Sequence, residues 1–247
     1  MDDAALVQEA VGGDVPAFAA IFDTHAAQVH DLALAVLRDR KAAFEVLHST
    51  FKQAGERLES LKEPERLRVW LLAITRFHAA SRPGDEAGLD RQPAGHDRLA
   101  ERAQLAGLVW EATADLPMRE RALFDLVLRQ GLDGEDLADA LGVTTAEVVE
   151  LRAWMGGTEK GLAGYLITRQ ADRRCPDLPL VLRGWDGHFT PGAAGGIAAH
   201  VSACRVCEQS RSALPSPFAL YASALPVPLP GRDEILPDNI TQEVGPG

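Results

Sequence analysis

The strongest constraint on the fold of this chain is a regular series of helix start and stop signals between residues 116 and 155. Pro117 is placed to open a first helix, because proline fits the first helical turn, and Gly131 is placed to end it. Asp133 can cap a second helix, which Gly142 ends with a tight turn. Apolar residues recur at helical spacing inside both segments, so the pattern predicts helices.

A third helix follows the Gly142 turn directly. Thr144 is its predicted cap, and Glu147 three residues later completes a capping box. A helix of about eight residues, a glycine turn and a capped helix form the unit that places its second helix in the major groove of DNA. The sequence therefore predicts a helix-turn-helix from Leu116 to Met155, and an ordinary helical hairpin is the alternative for the same spacing.

The remainder of the chain also predicts helices, so the expected fold class is all-α. Apolar residues recur at helical spacing from Ala4 to Ala80, with Asp14 before a proline and Pro64 marking helix starts. No stretch alternates strongly enough to predict a sheet. With 247 residues, of which 46% are hydrophobic, the chain can bury the cores of about two or three small domains.

Changes in composition divide the chain into five segments. The predicted segments are a helical domain (1–82), a flexible linker (83–98), the helix-turn-helix domain (99–168), a small cysteine-containing module (171–212) and an extended tail (213–247). Glycine and proline without apolar periodicity indicate the linker, and closely spaced prolines indicate the tail.

Charge and hydropathy narrow the range of partners. The net charge of -11 disfavours phosphate contacts, because lysine and arginine supply most of the sequence-independent affinity for DNA. The longest apolar stretches, such as Val69 to Ile74, are far shorter than the roughly 20 residues of a membrane-spanning helix. The N-terminus is acidic and lacks a signal-peptide pattern. We therefore expect a cytoplasmic protein without a membrane partner.

All three cysteines lie after residue 170, and with His200 they form a C-x24-H-x3-C-x2-C pattern. His200 and Cys204 lie four residues apart on one helical face, Cys207 follows one turn later, and Cys175 can close a tetrahedron from an earlier helix. Zn²⁺ is the expected occupant, in a structural or a redox-sensitive role. Buried cysteines without metal and a disulfide from Cys204 to Cys207 or Cys175 are the alternatives. His188 could replace Cys175 as a ligand.

The other histidines show no ligand spacing, and we expect them on the surface or on helix faces: His25, His30, His48 and His78. The sequence contains no nucleophile elbow, no phosphate-binding loop and no metal site with an open position. A zinc ion with four protein ligands is normally structural. The chain is therefore not expected to be an enzyme.

The run from Leu116 to Leu141 resembles region 4 of sigma-70-type factors, which begins leucine-proline-x-arginine-x-arginine and continues to glycine-leucine and alanine-x-x-leucine-glycine. The apolar pattern of residues 5–37 resembles the opening of region 2 in the extracytoplasmic-function group of these bacterial factors. Trp70 to Ile74, followed by Arg76, resembles the tryptophan-leucine helix of that region. The resemblance implies that region 2 binds RNA polymerase and one promoter element, while region 4 reads a second, upstream element.

The resemblance also implies site residues. The implied polymerase-binding residues are Glu45, His48 and Ser49, and the implied DNA-binding residues are Thr144, Thr145, Val149, Arg152 and Arg76. Val149 and Glu150 stand where the family has exposed polar and basic residues. Acidic residues also outnumber basic ones from Glu101 to Tyr165. Either contacts outside the recognition helix and the polymerase itself compensate for these changes, or the domain has become a protein-binding module.

The cysteine and histidine spacing resembles the zinc-binding anti-sigma domain, whose turns are similar to Trp185-Asp186-Gly187 and Thr190-Pro191. Such a domain normally occludes a sigma factor on a separate chain. Here it is attached through residues 170–174, which favours docking onto the preceding domains in cis. The expected function is a sigma-like regulator that engages RNA polymerase and, where its acidic face permits, promoter DNA. The alternative is a degenerate sigma-like module that binds a protein or a small ligand.

Overall fold

The computed structural model describes residues 2–82, 98–169 and 175–223, and these residues contain helices and no strand. The predicted all-α class is confirmed for this part of the chain. The α helices are α1 (Asp3–Val11), α2 (Val15–Leu37), α3 (Arg40–Arg57), α4 (Leu67–Ala80), α5 (Arg98–Ala114), α6 (Met118–Leu128), α7 (Gly134–Leu141), α8 (Thr145–Arg169), α9 (Leu178–Val181), α10 (Pro191–Ala203), α11 (Arg205–Ala213) and α12 (Pro217–Ala222).

Several helix boundaries follow the predicted signals. The Asp14 carboxylate accepts a hydrogen bond from the backbone N–H of Ala17 at 3.1 Å and so caps α2. Pro64 opens a 3-10 turn (Pro64–Arg66) that leads into α4. Asp133 caps α7, and Gly142 ends it in the left-handed conformation (φ +64°), which glycine adopts without strain. The linker over 83–97, the connection over 170–174 and the tail from residue 224 lie outside the described residues.

The chain divides into two compact units. The predicted domain 99–168 is not one unit, because its residues are shared between the two. The described part of the first unit comprises residues 2–82 and 132–144, and that of the second comprises residues 98–131, 145–169 and 175–223. The first unit therefore holds α7, and the second holds α5, α6 and α8. The arrangement of α6, α7 and α8 as one helix-turn-helix stays a prediction.

The first unit is a bundle in which α1, α3 and α4 surround α2. Its core contains Phe18, Ile21 and Phe51, which are almost fully buried. His25 and His30 are also buried, at 4% and 3% exposure, so these two histidines lie on covered faces of α2 and not on the surface. The reason is that neighbouring helices cover most sides of α2, including its polar positions. His25 Nε2 lies 3.1 Å from the Asp3 carboxylate on α1.

Helix α7 packs on α4 inside the first unit. The Arg66 guanidinium lies 2.8 Å from the Asp136 carboxylate and 2.7 Å from that of Asp139. Arg76 donates a hydrogen bond from Nε to the carbonyl oxygen of Ala140 at 2.9 Å. The two Arg66 contacts are ion pairs. The Arg76 hydrogen bond satisfies a backbone carbonyl at the C-terminal end of α7.

The second unit is built around α8, along which α10 packs, with α5, α11 and α12 also in contact. Helix α12 corrects the prediction of an extended tail from residue 213, because residues 217–222 are helical. Proline at the start of a helix costs no hydrogen bond, and the rings of Phe218 and Tyr221 lie 5.5 and 5.7 Å from the ring of Phe124. The closely spaced prolines therefore mark a short, packed helix here. Within the described residues, no helix has the length and hydropathy needed to span a membrane.

Candidate metal centre

The four predicted ligands come together in the second unit. The side-chain donor atoms of Cys175, His200, Cys204 and Cys207 all lie within 4.8 Å of one another. Cys175 Sγ lies 3.3 Å from His200 Nε2 and 3.7 Å from Cys204 Sγ. Three sulfurs and one imidazole nitrogen at such separations can surround a single metal ion.

The junction of α10 and α11 positions three of these side chains. The Thr190 hydroxyl accepts a hydrogen bond from the Ala193 N–H, and Pro191 follows it, so the capped start of α10 is fixed by local sequence. His200 lies in the last turn of α10. Cys204 separates the two helices in an extended conformation, and its N–H donates to the carbonyl of His200 at 2.9 Å. Cys207 lies in the first turn of α11, which directs its sulfur back toward His200.

Burial and backbone contacts give the thiols different acidities. Cys175 and Cys207 are buried, whereas Cys204 and His200 are partly exposed. The backbone N–H of Cys207 lowers the pKa of the Cys204 thiol, because it donates a hydrogen bond to the sulfur. Burial raises the pKa of the Cys207 thiol to about 12. Cys207 therefore needs a nearby positive charge to become a thiolate at neutral pH, and a bound dication supplies one.

The metal centre shares its apolar core with α8. Cys175 and Cys207 pack with Ile167 of α8 and with Ile197 and Val201 of α10. Two glycines of α8 allow α10 to approach closely: a β-carbon at Gly161 would lie 2.9 Å from Cβ of Ala194. The cysteine-containing module predicted over 171–212 thus uses the end of α8 as part of its core.

A turn before α10 is fastened to the rest of the second unit. The Asp115 carboxylate accepts a hydrogen bond from the N–H of Phe189 at 2.6 Å, and its other oxygen lies 3.1 Å from Nδ1 of His188. The ring of Tyr165 on α8 contacts the rings of Trp185 and Phe189 at centroid distances of 5.9 and 5.8 Å. His188 is thus placed on Asp115 and does not belong to the four-residue cluster.

The predicted DNA-binding residues fall in both units: Arg76 and Thr144 belong to the first, and Thr145, Val149 and Arg152 to the second. Thr144, Thr145 and Arg152 are exposed, and Val149 is 69% exposed on α8. Arg76 is half-buried and engaged by the end of α7.

The predicted polymerase-binding residues lie together on α3. Glu45 is exposed and pairs with Arg82, while His48 and Ser49 are partly buried. The Ser49 hydroxyl donates to the carbonyl oxygen of Glu45 at 2.8 Å. Helical spacing of three and four residues explains why the three share one region of the helix.

Sequence reasoning missed the supporting residues Asp115, Gly161 and Gly164. The sequence contains weak signals for two of them, because glycines three residues apart inside a long helix commonly mark a close helix contact. Nothing near Asp115 in the sequence indicates Phe189 as its partner.

No protein-family model, no curated protein and no solved structure matches this chain.

Proposed function

We propose that the chain is a sigma-factor-like transcription regulator that engages RNA polymerase and is controlled by its attached zinc-binding module. One observation carries the proposal: α8 is continuous from its exposed first half to the half that forms the core of the metal centre. Its first half, with Val149 and Arg152, is the segment that resembles a recognition helix. A change in the metal centre therefore acts on the same helix that presents this segment.

Zinc is the metal that suits this donor set best. Thiolate and imidazole ligands in a Cys₃His set favour Zn²⁺ over magnesium and calcium, which prefer oxygen ligands. Four protein ligands leave no open position, so the ion would neutralise the thiolates and cross-link the segment before α9 to α10 and α11 rather than supply an activated water. His200 is expected to be required for zinc retention, and His188 is the matched control because it contacts Asp115 instead.

The zinc assignment is tested by metal analysis of purified protein. We expect one zinc per chain in the native protein, loss of zinc in His200→Ala and retention in His188→Ala. Circular dichroism of each variant separates loss of a ligand from loss of the fold. Equal zinc content in both variants would contradict the assigned ligands.

The polymerase assignment is tested by titrating the full chain, zinc-loaded and chelated, into bacterial core RNA polymerase. We expect binding in both states, with an affinity that differs by about tenfold, which is within the usual range of coupling between two sites. Equal affinities would contradict control by the module. Absence of binding in both states would contradict the sigma-like function itself.

A second candidate is a sigma-like module whose α8 face contacts protein rather than promoter DNA. The observation that favours it is the 69% exposure of Val149, an apolar side chain, beside the exposed carboxylate of Glu150. Such a face repels phosphate and suits an apolar protein surface. A promoter fragment whose binding weakens steeply with salt would favour DNA reading, whereas binding of polymerase without any effect of promoter sequence would favour the protein contact.

A further inference from the structure

Helix α12 covers an apolar groove that α5, α6 and α8 form in the second unit. The buried residues of α12 are Pro217, Leu220 and Tyr221, which lie on one face of the helix. The ring of Tyr221 lies 5.5 Å from that of Trp110 on α5 and 5.7 Å from that of Phe124 on α6. This is the arrangement in which an amphipathic helix binds a groove through anchors three and four residues apart.

The groove, and not the helix itself, keeps α12 folded. Isolated helices shorter than about 12–15 residues are marginal in water, and α12 has six residues. The Ser216 hydroxyl accepts a hydrogen bond from the Ala219 N–H at 3.4 Å and donates one to the Glu159 carboxylate on α8 at 2.7 Å. Ser216 is exposed, so these bonds add little stability. Helix α12 is therefore an element that can open locally while the rest of the unit stays folded.

A short connection joins α12 to the metal centre. Helix α11, which carries Cys207, ends at Ala213, and α12 begins at Pro217. Leu214, the first residue of the connection, packs against the apolar core that contains Cys207 and Ile167. With α11 and Leu214 fixed, the connection keeps α12 next to its groove at a high effective concentration.

The position of α11 depends in turn on its cysteine. Within this nine-residue helix, Cys207 is the buried side chain. The Cys207 sulfur lies within 4.8 Å of the donor atoms of Cys175 and His200, which precede α11 in the chain. An ion shared by these residues would fasten α11 to α10. Without it, one small buried side chain and the partly buried Leu214 hold α11 and the connection in place.

We propose that α12 is a strap that the metal centre holds closed. In the zinc-loaded chain, α11 is fixed through Cys207, and α12 covers the groove. In the zinc-free chain, α11 and the connection loosen, α12 leaves, and the rings of Trp110 and Phe124 become exposed. The strap rests on the zinc assignment within the proposed function, and it does not depend on polymerase binding.

Hydrogen–deuterium exchange of the full chain, zinc-loaded and chelated, tests the strap. We expect exchange over residues 214–223 to become at least about tenfold faster after chelation, while α6 and α2 keep their protection. A dye that binds exposed apolar surface should bind more to the chelated chain. Unchanged exchange in α12 after zinc removal would overturn the proposal. Equal acceleration in α12 and α6 would also overturn it, because the unit would then unfold as a whole.

Variants locate the two ends of the strap in the zinc-loaded chain. Leu220→Ala removes a groove anchor and Leu214→Ala weakens the link to the metal core, so each should speed exchange in α12 by about tenfold while zinc content is retained. Ala219→Ser is the matched control, because Ala219 lies on the exposed face of α12. Native exchange in Leu220→Ala would show that the groove does not hold α12.

Metal analysis of the same samples separates the strap from the proposed function. A native chain that contains no zinc would contradict the zinc assignment and overturn metal control of α12 with it. A chain that loses zinc to the chelator and keeps α12 protected would overturn the strap alone and leave the zinc assignment intact. Zinc-dependent release of α12 in a chain that never binds polymerase would support the strap and contradict the sigma-like function.

Discussion

Gly164 of α8 faces Ile197 of α10 so closely that a β-carbon on Gly164 would lie 2.1 Å from Cγ2 of Ile197. Real side chains do not tolerate this separation, so Gly164→Ala must push α10 away from α8. Overpacking of a core typically costs about 1–3 kcal/mol. Because α10 carries His200, we expect a lower Tm and a faster loss of zinc to a chelator, measured on the same preparation.

Gly156 is the matched control on the same helix. The space around its β-carbon position is open within 4 Å, and the residue is exposed. Alanine forms helices better than glycine by up to about 1 kcal/mol, so Gly156→Ala should preserve or raise the Tm. If both substitutions lowered the Tm equally, the cost would be general to α8 and the close packing of α10 would not explain it.

The contact between α4 and α7 makes a second prediction. Arg66 pairs with Asp139 and Asp136, but all three side chains are partly exposed, so each pair is worth little more than a surface ion pair. A double-mutant cycle with Arg66→Gln and Asp139→Asn should give a small stabilising coupling, measured by urea unfolding. The coupling should shrink in 1 M salt, where the Debye length is about 3 Å. A coupling of zero at low salt would show that the pair does not hold α7.

His78 makes a prediction about pH. Its pKa in the folded chain is lowered from the ordinary value of 6.5 by burial and by Arg82. Below about pH 6.5 the unfolded chain therefore binds a proton that the folded chain binds more weakly, so stability is present above this pH and is lost as the pH falls. His78→Gln should flatten this part of the dependence. The free energies of unfolding of both proteins at pH 7 and pH 5 check it, and identical slopes would contradict the assignment.

Local signals explain what could be predicted from the sequence. Asp14 caps α2 through an N–H three residues away, and Gly142 ends α7 by its own backbone conformation. Three of the four metal-site residues lie within eight positions of one another, so the local junction of α10 and α11 brings them together, although Cys204 breaks the single helix that their spacing predicted. Such features depend on a few neighbouring residues, so spacing and residue type were sufficient to predict them.

Long-range packing explains what could not be predicted. The partner of Arg66 is 70 residues away on α7, and no local pattern pairs the two. The burial of His30 depends on the helices that cover α2, and the fold of α12 depends on the aromatic ring of Phe124. A residue's own sequence neighbours do not specify these contacts, so the sequence did not predict the burial of His25 and His30 or the helix in the tail.

Asp115 provides the last prediction, because it joins two segments that are distant in sequence. The Asp115 carboxylate accepts a hydrogen bond from the N–H of Phe189, which precedes α10. The same carboxylate also contacts His188. Asp115→Ala leaves the Phe189 N–H without its acceptor, and an unsatisfied buried donor costs about 1–3 kcal/mol. Asp115→Asn keeps one acceptor oxygen and should lose less.

The effect should be local to the turn before α10. We expect faster hydrogen exchange at the Phe189 amide in Asp115→Ala than in the native chain, with Asp115→Asn intermediate. Zinc should also dissociate faster, since Thr190 directly follows this turn and caps the helix that carries His200. Unchanged exchange at Phe189 in both variants would mean that Asp115 does not fasten the turn, and the stability of the metal centre would then depend on α8 alone.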